Sequence, residues 1–330
     1  MKAIVTGGAG FIGSHIVHRL LHNGHEVVVV DDFNDFYHPA IKHHNLAKIK
    51  DHVEIIVADL RDEATVHSIF SRVRPQTTFH LAARAGVRPS ILYPRLYLET
   101  NINGTFHVLE AARLAACERL IFASSSSVYG LSTSVPFHED LVLKQTLSPY
   151  AATKLAGEQL CGNYAYLYGM RIACLRFFTV YGAGQRPDLA IHSFTDAITH
   201  GRPIKRFGNG STRRDYTFID DIVQGVMGAM HYNEKYFDIF NLGGHKTTSL
   251  AELIALLEKA IGRKAIIEEL PEQKGDMPMT YADITKAEQY LNYHPQTSIE
   301  IGIPKFVKWY QEYTQTQKNF LSTLIPARHE

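Results

Sequence analysis

Short apolar runs alternate with amphipathic stretches over the first 180 residues. Residues 2–6 (KAIVT) form a compact β-rich run, a glycine-rich turn follows, and SHIVHRLLHNG then carries the 3.6-residue apolar repeat of a helix. EVVVV (26–30), closed by Asp31, is the next run. VEIIVADL (53–60), TTFHLAA (77–83), RLIFASS (119–125) and RIACLRFF (171–178) repeat the theme, with helices predicted between them at about 62–73, 94–115 and 148–168. Runs that are apolar on both faces, alternating with helices, predict an α/β fold built on a doubly wound parallel sheet of Rossmann type. In such sheets ligands lie at the carboxyl ends of the strands. The glycine turn, Ala82-Ala83, the serine run 124–127 and Phe178-Thr179 all fall there, so they are expected to meet in one crevice.

Beyond Thr179 the pattern loosens. Residues 180–217 read as Gly-, Pro- and Arg-rich loops around one helix at about 189–200. A helix (220–232), a strand (237–244), a capped helix (249–261), a strand (265–269) and two short helical segments follow, and little pattern remains after about Thr314. The expected division is a nucleotide-binding domain over 1–179, with 218–244 returning to it. Residues 180–217 and 245–330 then form a smaller α/β substrate-binding lobe.

The first turn is the most informative. Gly7, Gly10 and Gly13 are spaced G-x-x-G-x-x-G between a strand and a helix, with Phe11 and Ile12 inside the motif. Gly7 permits a tight turn, Gly10 lets backbone approach a pyrophosphate at a helix N-terminus, and Gly13 lets helix and strand pack closely. Asp31, 18 residues past Gly13, is placed to accept hydrogen bonds from an adenosine ribose. Its charge opposes a 2′-phosphate, so NAD is favoured over NADP.

Composition excludes more than it assigns. Lys plus Arg is 34 and Asp plus Glu is 33, a net charge of +1. Bulk charge therefore offers nothing to nucleic acid or an anionic membrane, and a polyanionic ligand needs a few placed cations. Cys117, Cys161 and Cys174 make no CxxC and read as free thiols of a reducing cytoplasm. No apolar run reaches about 18 residues, so no membrane span is expected, and no histidine spacing suggests a metal.

Within 148–168, Tyr150 and Lys154 lie four apart on one helical face. An ammonium beside a phenol favours the phenolate, which can take a proton from an alcohol. Ser124-Ser125-Ser126-Ser127 ends the strand before it.

Taken together, GGAGFIG, HLAA, SSSSVYG, YAATK, RRDYTFIDD and YADITKA resemble the extended short-chain dehydrogenase/reductase family of nucleotide-sugar enzymes over about 1–310. DDFNDFY, AGVRPS and RFFTVYGAGQRPDLAIH carry a finer similarity to its glucuronate 4-epimerase group. The resemblance implies NAD-dependent interconversion of UDP-glucuronate and UDP-galacturonate through a 4-keto sugar. Related epimerases of neutral or N-acetylated sugars, and a decarboxylase, are the alternatives. It implies that Tyr150 is the base, Lys154 its partner and Ser125 the hydroxyl on the reacting sugar oxygen. Asn34, Lys42, Asp59, Leu60, Leu81, Ala82, Ala83 and Asn101 are implied to contact the cofactor. Arg88, Ser126, Ser127, Thr179, Arg186, Phe207, Arg214 and Asp276 are implied to contact a UDP-sugar acid, with Arg186 on the sugar carboxylate. Where similar dehydratases carry Asp-Glu this chain has Ser126-Ser127, so it lacks their acids. A homodimer through 94–115 and 148–168 is likewise implied.

Overall fold

The computed structural model describes residues 1–132, 134–271 and 277–324, with side chains through 316. Seven parallel strands make the main sheet: β1 (Lys2–Thr6), β2 (Glu26–Asp31), β3 (Glu54–Val57), β4 (Thr77–His80), β5 (Arg119–Ser125), β6 (Arg171–Phe177) and, after three strands of the second half, β10 (Phe237–Leu242). Their spatial order is β10-β6-β5-β4-β1-β2-β3, reversing direction of travel at β1. This is the doubly wound α/β sheet that the apolar runs predict.

Alternation along each strand sorts the core. Ala3, Val5, Val27, Val29, Ile121 and Leu175 face one cluster, shared with helices α1 (Phe11–His22) and, later in the chain, α9 (Ile219–His231). Ile4, Val28, Val30, Leu120, Phe122 and Ile172 face the other. There they meet α3 (Glu63–Val73), α6 (Gly104–Leu114) and α7 (Pro149–Tyr168). Each fully buried large side chain contributes roughly 1.5–3 kcal/mol, so both faces need their helices. α2 (Pro39–Leu46) follows β2 as a short arm beside the strand ends.

The helix expected over 94–115 is interrupted. A separate α4 (Val87–Leu92) precedes it, α5 (Pro94–Tyr97) begins it, and Leu98–Asn103 is π-helical before α6. Such an insertion turns the side chains before it relative to those after, which 3.6-residue periodicity cannot reveal.

The second half holds more strand than its loop-like composition suggests. β7 (Thr179–Tyr181), β9 (Arg213–Phe218) and β11 (Thr247–Ser249) form a three-stranded sheet. β8 (Pro203–Phe207) and β12 (Ile266–Leu270) form a pair, with α8 (Ala190–His200) between β7 and β8. β12 is the strand expected at 265–269; the others are short and carry Arg or Thr, so no apolar run marks them. α10 (Leu250–Ile261) starts with a full capping box between Ser249 and Glu252. After α11 (Thr285–Leu291), the segment expected to be a short final helix is instead α12 (Ile299–Leu324), 26 residues long. No helix of the described residues is long and apolar enough to cross a membrane.

Candidate active site

The strand ends open into one cavity of about 790 Å³. At one end the backbone itself makes the surface. Gly7 has φ +69°, and a Cβ there would lie 2.7 Å from the Ala82 amide nitrogen. A Cβ on Gly13 would come within 2.1 Å of the Gly7 carbonyl oxygen. Gly10 caps α1 without any side-chain acceptor, so the positive helix end is left to a ligand. Gly7, Gly10, Phe11, Ile12 and Gly13 all line the cavity, as do Leu60, Leu81, Ala82 and Ala83. A turn this tight under a bare helix end fits the pyrophosphate of a dinucleotide.

The polar residues beside it are already cross-braced. Asp31 accepts from the Ala9 and Phe33 amides at 3.2 and 2.9 Å and from Lys42 Nζ at 2.9 Å. Asn34 donates to Asp32 and accepts from Arg84 Nη1 at 3.0 Å. Asp59 is held by Arg61 Nε at 2.9 Å, and that ion pair keeps its carboxyl below the ordinary range. All of Asp31, Asn34, Lys42 and Asp59 line the cavity. Asn101 does not. It lies buried within the π-helical segment, where it accepts from the Arg84 amide at 2.7 Å and donates to the Arg84 carbonyl and Thr153. It fixes the backbone of residue 84 rather than forming the wall itself.

α7 brings up the reactive side chains. Ser148 caps it by accepting from the Ala151 amide, Pro149 presets its first turn, and Gly169 ends it in the left-handed conformation. Tyr150, Lys154 and Ser125 consequently line the cavity together. Their electrostatics differ from the pairing that spacing suggests. Lys154 Nζ donates to the Ala123 carbonyl at 2.7 Å and lies over the Phe122 ring, while the Tyr150 ring centre is 6.0 Å away. Burial lowers its pKa to about 8. Burial pushes the Tyr150 phenol above its ordinary value, opposed by the Ser125 hydroxyl and the Arg186 charge rather than by Lys154. Ser127 donates through its hydroxyl and amide to Ser125 Oγ, at 2.9 and 3.2 Å.

Behind this group lies a buried polar network. Glu158, one turn past Lys154, accepts from Ser124 Oγ at 2.5 Å and from Arg176 Nε and Nη2 at 2.9 and 2.8 Å. Arg176 also donates to Tyr129, whose hydroxyl donates to Asn241 on β10. The network bolts α7 to β5, β6 and β10, and so sets Tyr150 against the serines. Removing one member of such a buried pair costs about 3–5 kcal/mol.

The other end of the cavity is made of long side chains. Arg88, Ser126, Ser127, Thr179, Arg186 and Arg214 line it. Arg88 stacks over the Phe207 ring at 5.2 Å. Phe207 stands behind Arg88 rather than in the wall, so its ring is placed to support the guanidinium. Arg214 Nη1 donates to the Met277 and Arg213 carbonyls at 2.7 and 2.9 Å. Asp276 lies outside the described residues. Arg186 has its fork on Asp188, at 2.9 and 2.8 Å. Among the described residues no group of His, Cys, Asp and Glu could hold a metal ion.

Sequence reasoning passed over Phe36, Tyr37 and Arg84, which line the cavity, and Asp188, Glu158 and Arg176, which brace it. Some signal was present: Glu158 repeats the four-residue step from Lys154, and an arginine inside the apolar run 171–178 needs a buried partner.

Comparison with known proteins bears on the same residues. Residues 3–243 match the model of the NAD dependent epimerase/dehydratase family. The chain is 41% identical to a UDP-glucuronate 4-epimerase of Thermodesulfobacterium geofontis, covering 96% of this chain and 98% of that one. The UDP-glucuronic acid 4-epimerase of Bacillus cereus, solved with UDP-glucuronic acid and NAD, superposes with a TM-score of 0.89 at 34% identity, over 95% of this chain and all of that one. The UDP-glucose 4-epimerase of Thermotoga maritima, solved with UDP-glucose, gives 0.89 at 32%, over 95% and 100%.

Proposed function

Since the chain belongs to the NAD-dependent epimerase/dehydratase family, we propose that it is a UDP-glucuronate 4-epimerase, interconverting UDP-glucuronate and UDP-galacturonate. The observation that carries this reading is the convergence of Tyr150, Lys154 and Ser125 with the Arg186 cation in one cavity that also holds the glycine turn.

NAD, when bound, supplies reversible two-electron oxidation of the sugar at C4; Gly7, Gly10, Gly13, Asp31 and Lys42 are the residues to hold it. Tyr150 accepts the C4 hydroxyl proton, with Ser125 hydrogen-bonding the same oxygen and stabilising the phenolate. Lys154, buried and anchored on the Ala123 carbonyl, would bond the cofactor ribose. After the 4-keto sugar turns over, the reducing equivalent would return to C4 on its other face, and Tyr150 gives the proton back to the C4 oxygen. A 4-keto uronic acid loses carbon dioxide when its carboxylate bond aligns with the carbonyl π-system. Arg186, Thr179 and the hydroxyls of Ser126 and Ser127 hold the carboxylate out of that alignment, and neither serine offers the acid a decarboxylase would use. Arg88, Arg214, Phe207 and Asp276 serve the uridine diphosphate.

The domains follow the chain: 1–179 with 218–244 form the NAD-binding domain, which also carries the reactive residues, and 180–217 with 245–330 form the substrate-binding lobe. The apolar side chains that α6 and α7 leave exposed, among them Phe106, Leu114, Tyr166 and Leu167, support a homodimer through these helices. Three buried free cysteines suit a reducing cytoplasm.

The test is incubation of the purified protein with UDP-glucuronate and, separately, UDP-glucose, with chromatography of the products. UDP-galacturonate from the first is the expected result. Conversion of UDP-glucose alone would replace the reading with that of a neutral-sugar 4-epimerase.

A further inference from the structure

Arg186 reaches the sugar end of the cavity already engaged. Its Nε and Nη2 donate in the plane of the guanidinium to the two oxygens of Asp188. Its guanidinium carbon lies 5.3 Å from the centre of the Phe36 ring, so one face of the plane is covered as well. The Arg186 side chain is 17% exposed and lines the cavity, whereas Asp188 is 40% exposed and does not. Among the described residues, Nη1 alone of the three guanidinium nitrogens has no hydrogen-bond partner.

A guanidinium has two edges that suit a carboxylate, Nε with Nη2 and Nη1 with Nη2. Asp188 fills the first. We infer that Asp188 is the positioning residue for substrate-carboxylate recognition: it grips Arg186 by one edge and so presents the Nη1 edge to the sugar acid. This rests on the reading of the cavity as a UDP-glucuronate site. Two physical effects follow from the grip. The long Arg186 side chain loses its rotamer freedom before the ligand arrives, which lowers the entropic cost of binding. Its charge is also compensated in the empty site, where a lone, largely buried cation would be costly. Phe36 supplies the third constraint by fixing the plane.

The same contact has an opposite reading, in which Asp188 competes for the fork and the substrate must displace it. The two readings differ in sign. Asp188→Ala, Asp188→Asn, Arg186→Ala and the double alanine variant are compared as NAD-loaded proteins. The readouts are epimerisation kinetics with UDP-glucuronate and calorimetric binding of UDP-glucuronate and UDP-glucose. Asp188→Ala is expected to raise KM for UDP-glucuronate about tenfold with a smaller change in kcat. UDP-glucose binding should stay within about twofold, since it has no carboxylate to place. Asp188→Asn should fall between, because its one remaining oxygen still accepts from the guanidinium. Adding Asp188→Ala to Arg186→Ala should cost nothing further, because Asp188 acts through Arg186. A lower KM in Asp188→Ala, equal losses for both sugar nucleotides, or additive losses in the double variant would each overturn the inference. If the parent protein does not convert UDP-glucuronate, the functional reading falls, and the ratio of the two binding constants still decides the role of Asp188.

Discussion

The glycine turn and the Arg186 loop line one cavity but are built from different materials. At the turn, backbone meets backbone: Gly7 lies against Ala82, and Gly13 closes on Gly7 with no room for a methyl group. At the other end, three arginines extend from α4, from the loop before α8 and from β9; Phe207 and Asp188 steady the first two from outside the cavity wall, and the Arg213 and Met277 carbonyls hold the third. The first arrangement suits a shape common to all dinucleotides. The second recognises charges at chosen points, which one neighbouring residue can redirect. Such a division would let a family keep its cofactor end while its sugar end diverges; this chain superposes with a TM-score of 0.89 on both a glucuronate and a glucose epimerase.

The contrast can be broken at several places. The largest effect is expected where the two ends meet, at Tyr150. Tyr150→Phe should lower kcat by about 1,000-fold or more, the usual weight of a general base. Bound NAD should remain, as read from the absorbance of the purified protein. At the turn, Gly13→Ala should destabilise by about 1–3 kcal/mol through overpacking and leave the protein without copurifying cofactor. Thermal melting with and without added NAD checks it. A variant that keeps both would show that the turn is less rigid than its packing implies.

At the sugar end, Arg186→Ala should raise KM for UDP-glucuronate by about 10–100-fold, the worth of one charge-assisted pair, and leave melting temperature nearly unchanged. It should also release carbon dioxide from the oxidised sugar, measured alongside product. Ser249→Ala removes a cap from α10 at a residue outside the cavity wall, across the β9–β11 pairing from Arg213. It should cost about 1 kcal/mol in denaturant unfolding with kinetics intact.

The smallest effect is a pH dependence. Burial lowers the Lys154 pKa to about 8, and the ammonium is the working form. Titration of Lys154 should contribute a falling limb centred near that pH, superposed on the rising limb of the Tyr150 phenol, which burial holds above its ordinary value. The contribution of Lys154 to stability has the opposite sign. The folded chain releases this proton more readily than the unfolded chain, so between pH about 8 and the ordinary lysine range folding gains as pH rises. Rate profiles and melting curves over pH 7–10 should therefore diverge.

The legible parts were those fixed by local rules. Apolar runs marked each strand of the main sheet, and Ser148, Pro149 and Gly169 marked the limits of α7. The glycine spacing located the tight turn at Gly7–Gly13. What stayed hidden depended on partners distant in sequence. The lobe strands β8 and β9 are held by pairing with β12, β7 and β11 rather than by their own hydrophobicity. Asn101 shares the buried helical face of Thr105 and Val108, but its partners, the backbone of Arg84 and the Thr153 hydroxyl, lie elsewhere in the chain. Proximity of Tyr150 and Lys154 suggested that one acidifies the other, but an unseen carbonyl, that of Ala123, claims the ammonium.

The return of β10 to the main sheet has a practical consequence. It pairs with β6 along six residues, from Phe237 beside Ile172 to Leu242 beside Phe177. Truncation after residue 179 would strip β6 of that outer neighbour and bare a row of unpaired amides and carbonyls next to Ile172, Cys174 and Leu175. Such an edge recruits strands from other molecules. The cofactor half, cut free as a fragment, should accumulate as aggregate, and only a design that carries Phe237–Leu242 along with it should stay in solution.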